Sequence, residues 1–327
     1  MKSIIESHVD DWTATRSGSL VAGVARHYVR ILPTAAGDPS PEEDVDRLWL
    51  DIANRPPGTP FRFPAREIVD GGFLELVRYG VRRADDPLVV DSVKVCDEML
   101  RVETPLGPCF RRYNHDGYGQ RPDGSAFEGW GQGRAWPLLT GERGHYELAS
   151  GRDPVPYIRA MEAFATTGGM IPEQVWDEPD LSRSDCRMGR ATGAANPLVW
   201  AHAEYIRLLR STRDGSVFDR LEPVFERYRE GGGRRNLEIW KFNRQIRTVR
   251  QGQVLRILGL APFRLRYSLD GWRTVEESEA RWLPRIGCAF FDIPPPPDGT
   301  REALFTFFWT ESERWEGRDF CVGISER

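Results

Sequence analysis

The stretch GGMIPEQVWD, residues 168–177, sets one carboxylate, Glu173, directly after a proline and between a glycine pair and a tryptophan. A charged side chain on a loop beside an aromatic ring can line a pocket, and catalytic groups concentrate on loops carried by a rigid scaffold. Taken alone, the stretch reads more simply as a solvated loop carboxylate. The element that must position it comes just before: Asp153 suits a helix cap, Pro154 the first turn, and Ile158, Met161, Phe164 and Ala165 recur at helical spacing. Gly168 and Gly169 then supply the left-handed stop that ends helices.

The 327 residues suffice for one large domain and a smaller one. With 40% apolar and 29% charged residues the composition is that of a globular protein with a sizeable core. A net charge of −4 gives a nucleic-acid or anionic-membrane partner no electrostatic support, and the arginines are interleaved with acids rather than clustered. Eleven tryptophans are many for this length; flat rings serve cores and also stack on the apolar faces of sugars. Cys96, Cys109, Cys186, Cys288 and Cys321 are scattered and odd in number, which argues for neither a disulfide framework nor a zinc site. No apolar run approaches transmembrane length and the first residues are not a signal peptide, so a cytoplasmic location is the expectation.

Taken in order, Leu20, Val21, Val24, Tyr28 and Ile31 predict a helix within residues 12–32, and a short helix is expected around Val45 to Ala53. TAAGDPSPEED reads as an exposed loop, and RPPGTPFRFP excludes regular structure. Val69, Phe73, Leu76 and Val77 predict a helix ending near Gly80; Asp86 and Pro87 open a second carrying Val89, Val93, Cys96 and Leu100. Residues 101–133 form a long glycine-rich, aromatic loop, the kind that is usually functional. Helices are expected at Arg134 to Ala149, from Asn196 and Pro197 onward, and at Phe218 to Arg229, before a boundary at Gly231, Gly232 and Gly233. Beyond it VLRILGL, FRLRYS, GCAFFDI and ALFTFFW are strand-like runs, and SLDGW carries a hairpin signal. They predict a small β-sandwich over 238–327, in which Trp272, Trp309 and Trp315 serve mainly packing.

YNHDGYG (113–119), GRAWPLLTGERGHYEL (133–148), MIPEQVWD (170–177) and NPLVWAHAEYIRLLRS (196–211) occur here in one order, together with IVDGGFLELVRYGV (68–81). This combination resembles glycoside hydrolase family 15, the bacterial glucoamylases and glucodextranases, over roughly residues 10–230. The resemblance implies a mainly α fold: residues 1–233 as part of an (α/α)6 toroid, about six or seven of its twelve helices. It also implies inverting exo-hydrolysis of α-glucosidic bonds, on an α-glucan or oligosaccharide, without metal or organic cofactor. Inversion requires two carboxyl groups, one to protonate the leaving oxygen and one to activate water. Glu173 matches the family's general base, with Gln174 and Trp176 flanking it. Arg112 matches an arginine that hydrogen-bonds the terminal glucose, while Tyr118 and Trp136 match aromatics that border the sugar. Asp116, Glu142 and Arg143 are assigned to a buried polar network holding the loops.

The family's general acid lies in a DLWEE-like motif that is absent here; RLWLDIA (47–53) shares a Leu-Trp pair but lacks the paired acids. The expectation is therefore a chain that begins midway through the toroid and carries one of the two carboxyl groups. Its alternatives are a noncatalytic carbohydrate-binding remnant, or a subunit that associates with a chain supplying the other half.

Overall fold

The computed structural model describes residues 2–32, 37–229 and 236–325. The glycine run 231–233 and residues 34–36 of the TAAGDPSPEED loop lie outside the described residues. The chain divides into two compact units, one of Met1–Ser7, Pro33–Glu42 and Arg234–Arg327, the other of His8–Leu32 and Glu43–Gly233.

Seven α-helices are found among the described residues: α1 (Lys2–Thr13), α2 (Leu74–Arg78), α3 (Pro87–Leu100), α4 (Pro137–Ala149), α5 (Val155–Phe164), α6 (Val199–Asp214) and α7 (Glu222–Arg229). The larger unit also holds three small antiparallel pairs: β1 (Ala14–Thr15) with β2 (His27–Tyr28), β3 (Trp49–Asp51) with β4 (Arg62–Pro64), and β5 (Arg101–Thr104) with β6 (Gly107–Phe110). The capping chemistry at α3 is as the sequence predicts, since the Asp86 carboxylate accepts from the Leu88 N–H and Pro87 occupies the first turn. One face of α3 buries Leu88, Val89, Val93, Cys96 and Leu100 against Val69, Phe73 and Val77 around α2 and Tyr146 of α4. A second cluster joins Phe110, Tyr157, Ile158, Met161 and Leu208, so β6, α5 and α6 share a core. The α4 glycines allow close helix packing: a Cβ on Gly144 would lie 2.7 Å from Leu208 of α6.

Four local expectations are corrected. Residues 14–28 are not helical; the chain pairs Ala14 with Tyr28 and Thr15 with His27. Gly18 fits this reversal: its N–H donates to the Ala25 carbonyl, and a Cβ there would strike the His27 ring at 2.6 Å. Around Val45 to Ala53 only Val45–Arg47 turns, as a 3-10 segment, before β3 begins. There the buried Leu50 and Ile52 alternate with exposed neighbours, a strand period. RPPGTPFRFP is not devoid of regular structure, since Arg62–Pro64 forms β4, where Pro64 sits at the strand end and costs no ladder bond. The 101–133 stretch opens with the β5–β6 hairpin rather than being loop throughout.

In the smaller unit, the strands are β7 (Leu237–Lys241), β8 (Thr248–Arg250), β9 (Val254–Gly259), β10 (Phe263–Ser268), β11 (Glu276–Glu279), β12 (Arg281–Leu283), β13 (Cys288–Ile293), β14 (Glu302–Trp309), β15 (Arg314–Trp315) and β16 (Phe320–Ser325). One sheet runs β11-β10-β14-β16-β8 with β15 on β14, the other β12-β13-β9-β7. Both are mixed, because β7 pairs β9 and β16 pairs β8 in parallel. The two sheets share one apolar core centred on Trp240, whose ring lies 5.0 Å from Phe305 and 4.7 Å from Phe320. SLDGW does form the β10–β11 turn: Asp270 accepts from the Arg273 and Thr274 N–H groups, and Gly271 and Trp272 take positive φ. With this unit added, strands occupy nearly as much of the described chain as helices, so "mainly α" is corrected to a mixed composition.

Candidate active site

The loop that follows β6 carries the first half of the site. Asp116 organises it: its carboxylate accepts from Arg112 Nε at 2.8 Å, from Arg112 Nη2 at 3.0 Å and from the Tyr118 N–H at 2.9 Å. The loop then crosses back on itself. Gly133 donates to the Asp116 carbonyl at 2.7 Å, and a Cβ there would lie 2.4 Å from Asp116 Cβ; at Gly131 it would lie 1.9 Å from the Gly119 carbonyl. Only glycine permits these approaches. Asn114 ties the loop to the core, accepting from Val69 N–H and donating to the Glu67 carbonyl.

Trp136 ends this loop at the entry to α4, with its N–H on the Phe110 carbonyl. The Arg112 guanidinium lies 4.9 Å from the Tyr118 ring centre and 5.1 Å from that of Trp136, and the two rings are 6.4 Å apart. Burial opposes the Arg112 charge, but the bidentate Asp116 contact outweighs it and raises the guanidinium above the ordinary arginine range.

The second half is the segment after α5. Its N–H groups are pinned: Glu173 donates to Ala195, Val175 to Ala135 and Trp176 to Arg190, so residues 173–176 lie between two backbone neighbours. Glu173 is 8% exposed, not a solvated loop carboxylate. Gln174 Nε2 donates to Glu173 Oε1 and to the Tyr118 carbonyl, both at 3.3 Å. The Tyr118 hydroxyl is raised above the usual tyrosine range by burial first, then by the charge of Glu173 and a hydrogen bond to it. The fold thus brings Glu173 and Gln174 into one neighbourhood with Arg112, Tyr118 and Trp136, which lie roughly forty to sixty positions earlier in the chain.

Trp176 is placed differently. It has no exposed surface; Arg134 stacks 3.9 Å from its ring centre and its indole N–H donates to the Pro179 carbonyl. It supports the segment from beneath instead of presenting a face. Arg134 and Arg111 both donate to the buried Asp177 carboxylate, at 2.9 and 2.7 Å, an ion cluster that the residue pattern did not disclose. Its only sequence signal was an acid beside Trp176.

Asp116 belongs to a polar network, and Arg143 to another, donating to Asp97 and Glu147. Glu142 differs: among the described residues its half-buried carboxyl has no hydrogen-bond or ion-pair partner. Desolvation, then the charges of Glu204 and Glu75, push it up to about 8, with Arg78 opposing. Beside it Arg78 is held by Glu204 and Asp219, and His145 bridges Glu204 and Ser211. A cavity of about 610 Å³ lined in part by Arg82, Asp97 and Phe225 contains none of the candidate residues. Among the described residues no group of three or more His, Cys, Asp or Glu side chains is disposed to hold a metal, and no helix is long and apolar enough to cross a membrane.

Known proteins share this arrangement of segments. Residues 61–210 match the family described as glycosyl hydrolases family 15. A glucoamylase of Clostridium sp. (strain G0005) is 44% identical over 220 residues, covering 67% of this chain and 28% of that protein. A crystal structure of a bacterial glucoamylase complexed with acarbose superposes with a TM-score of 0.59 at 43% identity, covering 68% of this chain and 30% of its own. The chain therefore spans under a third of the relatives it matches. Over its matched part the chain resembles the glycosyl hydrolases of family 15 and has a glucoamylase-like fold, and the candidate residues from Arg112 to Trp176 lie within that part.

Proposed function

We propose that this chain contributes the base-bearing part of a glucoamylase-type site that hydrolyses an α-glucosidic bond with inversion. The observation that carries the reading is Glu173. It is buried, hydrogen-bonded to Tyr118 and Gln174, and adjacent to an Arg112–Trp136 pair, within the segment matched to family 15. In that role Glu173 accepts a proton from the attacking water. Arg112, its guanidinium oriented by Asp116, directs its remaining donors at vicinal hydroxyls, and Tyr118 and Trp136 wall the sugar. A second carboxyl must protonate the leaving oxygen on the opposite sugar face. We assign it to family 15 polypeptide beyond this sequence, in keeping with a partial toroid over residues 1–233.

The test is a chimera in which this chain's matched segment replaces that of the Clostridium glucoamylase. It should release glucose from maltooligosaccharides or isomaltooligosaccharides as the inverted anomer, and Glu173→Gln should lower kcat by about 10²–10⁴-fold, the range for a lost general base. An unchanged kcat refutes the assignment. The chain by itself should release little or no glucose; ordinary turnover abolished by Glu173→Gln would show that it already holds both groups.

A second reading, sugar binding without turnover, is favoured by the assembled Arg112–Tyr118–Trp136 group and by the acarbose complex of the bacterial relative. Calorimetry of the isolated chain with acarbose decides it: no heat at millimolar ligand removes this option.

A further inference from the structure

Arg134 has no exposed surface, and its guanidinium reaches two segments that are distant in the chain. Through Nε it donates to the Gln120 carbonyl at 2.9 Å, two positions after Tyr118. Through Nη1 it reaches Asp177 at 2.9 Å and Glu178 at 3.3 Å, just after Glu173. Its central carbon lies 3.9 Å from the Trp176 ring centre. The stem fits closely too, since a Cβ on Gly119 would come within 3.1 Å of Arg134 Cγ. The loop that carries Arg112 and Tyr118 and the segment that carries Glu173 therefore meet on one side chain.

Neutralising Asp177 does not by itself call for this arrangement. Arg111 already donates to that carboxylate at 2.7 Å from a partly exposed position. A point charge at position 134 would serve Asp177 as well. Only a planar fork holds a carbonyl on one edge and a carboxylate on another with an indole against its face. The hold on Arg112 does not pass through Arg134: Asp116 orients the guanidinium, and Asn114 ties the loop to Val69 and Glu67. What Arg134 adds is the spacing between that loop and the Glu173 segment, which Gln174 also links through its 3.3 Å bond to the Tyr118 carbonyl.

We infer that Arg134 is a positioning residue: it sets where the Glu173 carboxylate stands relative to Tyr118 and to a sugar held by Arg112. The inference rests on the reading of Glu173 as general base and adds the group that aligns it. A displacement of about 1 Å between reacting groups costs up to about 10²-fold in rate, so the effect belongs in kcat.

The test is a double-variant cycle of Arg134→Lys and Glu173→Gln. Lysine keeps a charge for Asp177 and loses the Gln120 bond and the stacking on Trp176. In the full chain, NMR of tyrosine labelled at Cζ reads the Tyr118–Glu173 hydrogen bond at neutral pH without any turnover. Glu173→Gln should shift the Tyr118 resonance, Arg134→Lys should shift it in the same direction, and the double variant should add nothing to Glu173→Gln. In the chimera with the Clostridium glucoamylase, Arg134→Lys should lower kcat on a maltooligosaccharide about 10–100-fold with KM within about threefold. The double variant should turn over no more slowly than Glu173→Gln alone, because both losses act through one group. Rates are taken well below each variant's melting temperature and per acarbose-titrated site, so that partial unfolding is not read as slow turnover. Should Arg134→Lys fail to fold, Trp176→Phe, which shrinks the surface under Arg134, replaces it in the same cycle. A Tyr118 resonance unmoved by Arg134→Lys, a loss carried by KM, or additive losses in the double variant each overturn the inference. Glu173→Gln with unchanged kcat removes the base reading and the kinetic half of the inference with it; the Tyr118 resonance still decides whether Arg134 places Glu173.

Discussion

Replacing Glu142 by glutamine isolates a half-buried carboxyl of the helical unit that has no partner among the described residues. Its folded value of about 8 lies above the ordinary 4.5 because desolvation and the neighbouring Glu204, Glu75 and Asp70 all disfavour its charge, while Arg78 alone favours it. The folded state therefore keeps a proton that the unfolded chain has already released between those two values. Stability linked to this group is full below about pH 4.5 and is lost as pH rises towards 8. Each tenfold difference in proton affinity between the two states is worth about 1.4 kcal/mol, so the ceiling is roughly 4–5 kcal/mol. Urea unfolding of the full chain and of Glu142→Gln at one-unit steps from pH 5 to 9 measures it. The two proteins should be similar at pH 5 and diverge above it, the variant being the more stable by a few kcal/mol at pH 8. Parallel curves across this range would show that Glu142 ionises freely in the folded protein and would refute the argument.

Removing Asp177 takes from Arg111 its ion pair and leaves the fully buried Arg134 only the Glu178 ion contact at 3.3 Å, so Asp177→Ala should cost about 3 kcal/mol in unfolding free energy, measured by urea titration. Asp116→Ala should release Arg112 from its bidentate hold and weaken acarbose binding by the chimera several-fold to tenfold in calorimetry, with little change in melting if the loop stays tied through Asn114. In the sheet unit Trp240→Ala empties the centre of the aromatic core and should destabilise that unit by about 3–5 kcal/mol, read from its own thermal transition.

Helices with a local signal were legible. Asp86-Pro87 begins α3 because a cap and a first-turn proline act within three residues, and the stripe Val89, Val93, Cys96, Leu100 is its buried face. Asn196-Pro197 was legible only to within a turn, α6 starting at Val199. Between residues 12 and 32 the helical stripe was misleading. Leu20, Val21, Val24 and Tyr28 pack in the core from a reversed chain while Ile31 is exposed, and the close Gly18–His27 approach that goes with the reversal is invisible without the fold. The candidate residues around Glu173 were legible as types, yet their supports were not. Asp177 meets arginines 43 and 66 positions away, and no local pattern announces such pairings. Trp176 misled for a related reason: a tryptophan next to a pocket and one beneath it look alike in sequence.

The Arg111–Asp177–Arg134 cluster also fixes when the site can exist. Because its contacts join segments so far apart in the chain, closing them demands loop entropy that only an already collapsed helical unit can offset. Glu173 is then placed late in folding and released early in unfolding only if that cluster opens. Amide exchange at Val175 and Trp176 should accordingly follow the opening of the whole unit, not local fraying, and the geometry around the glutamate is inherited from global cooperativity.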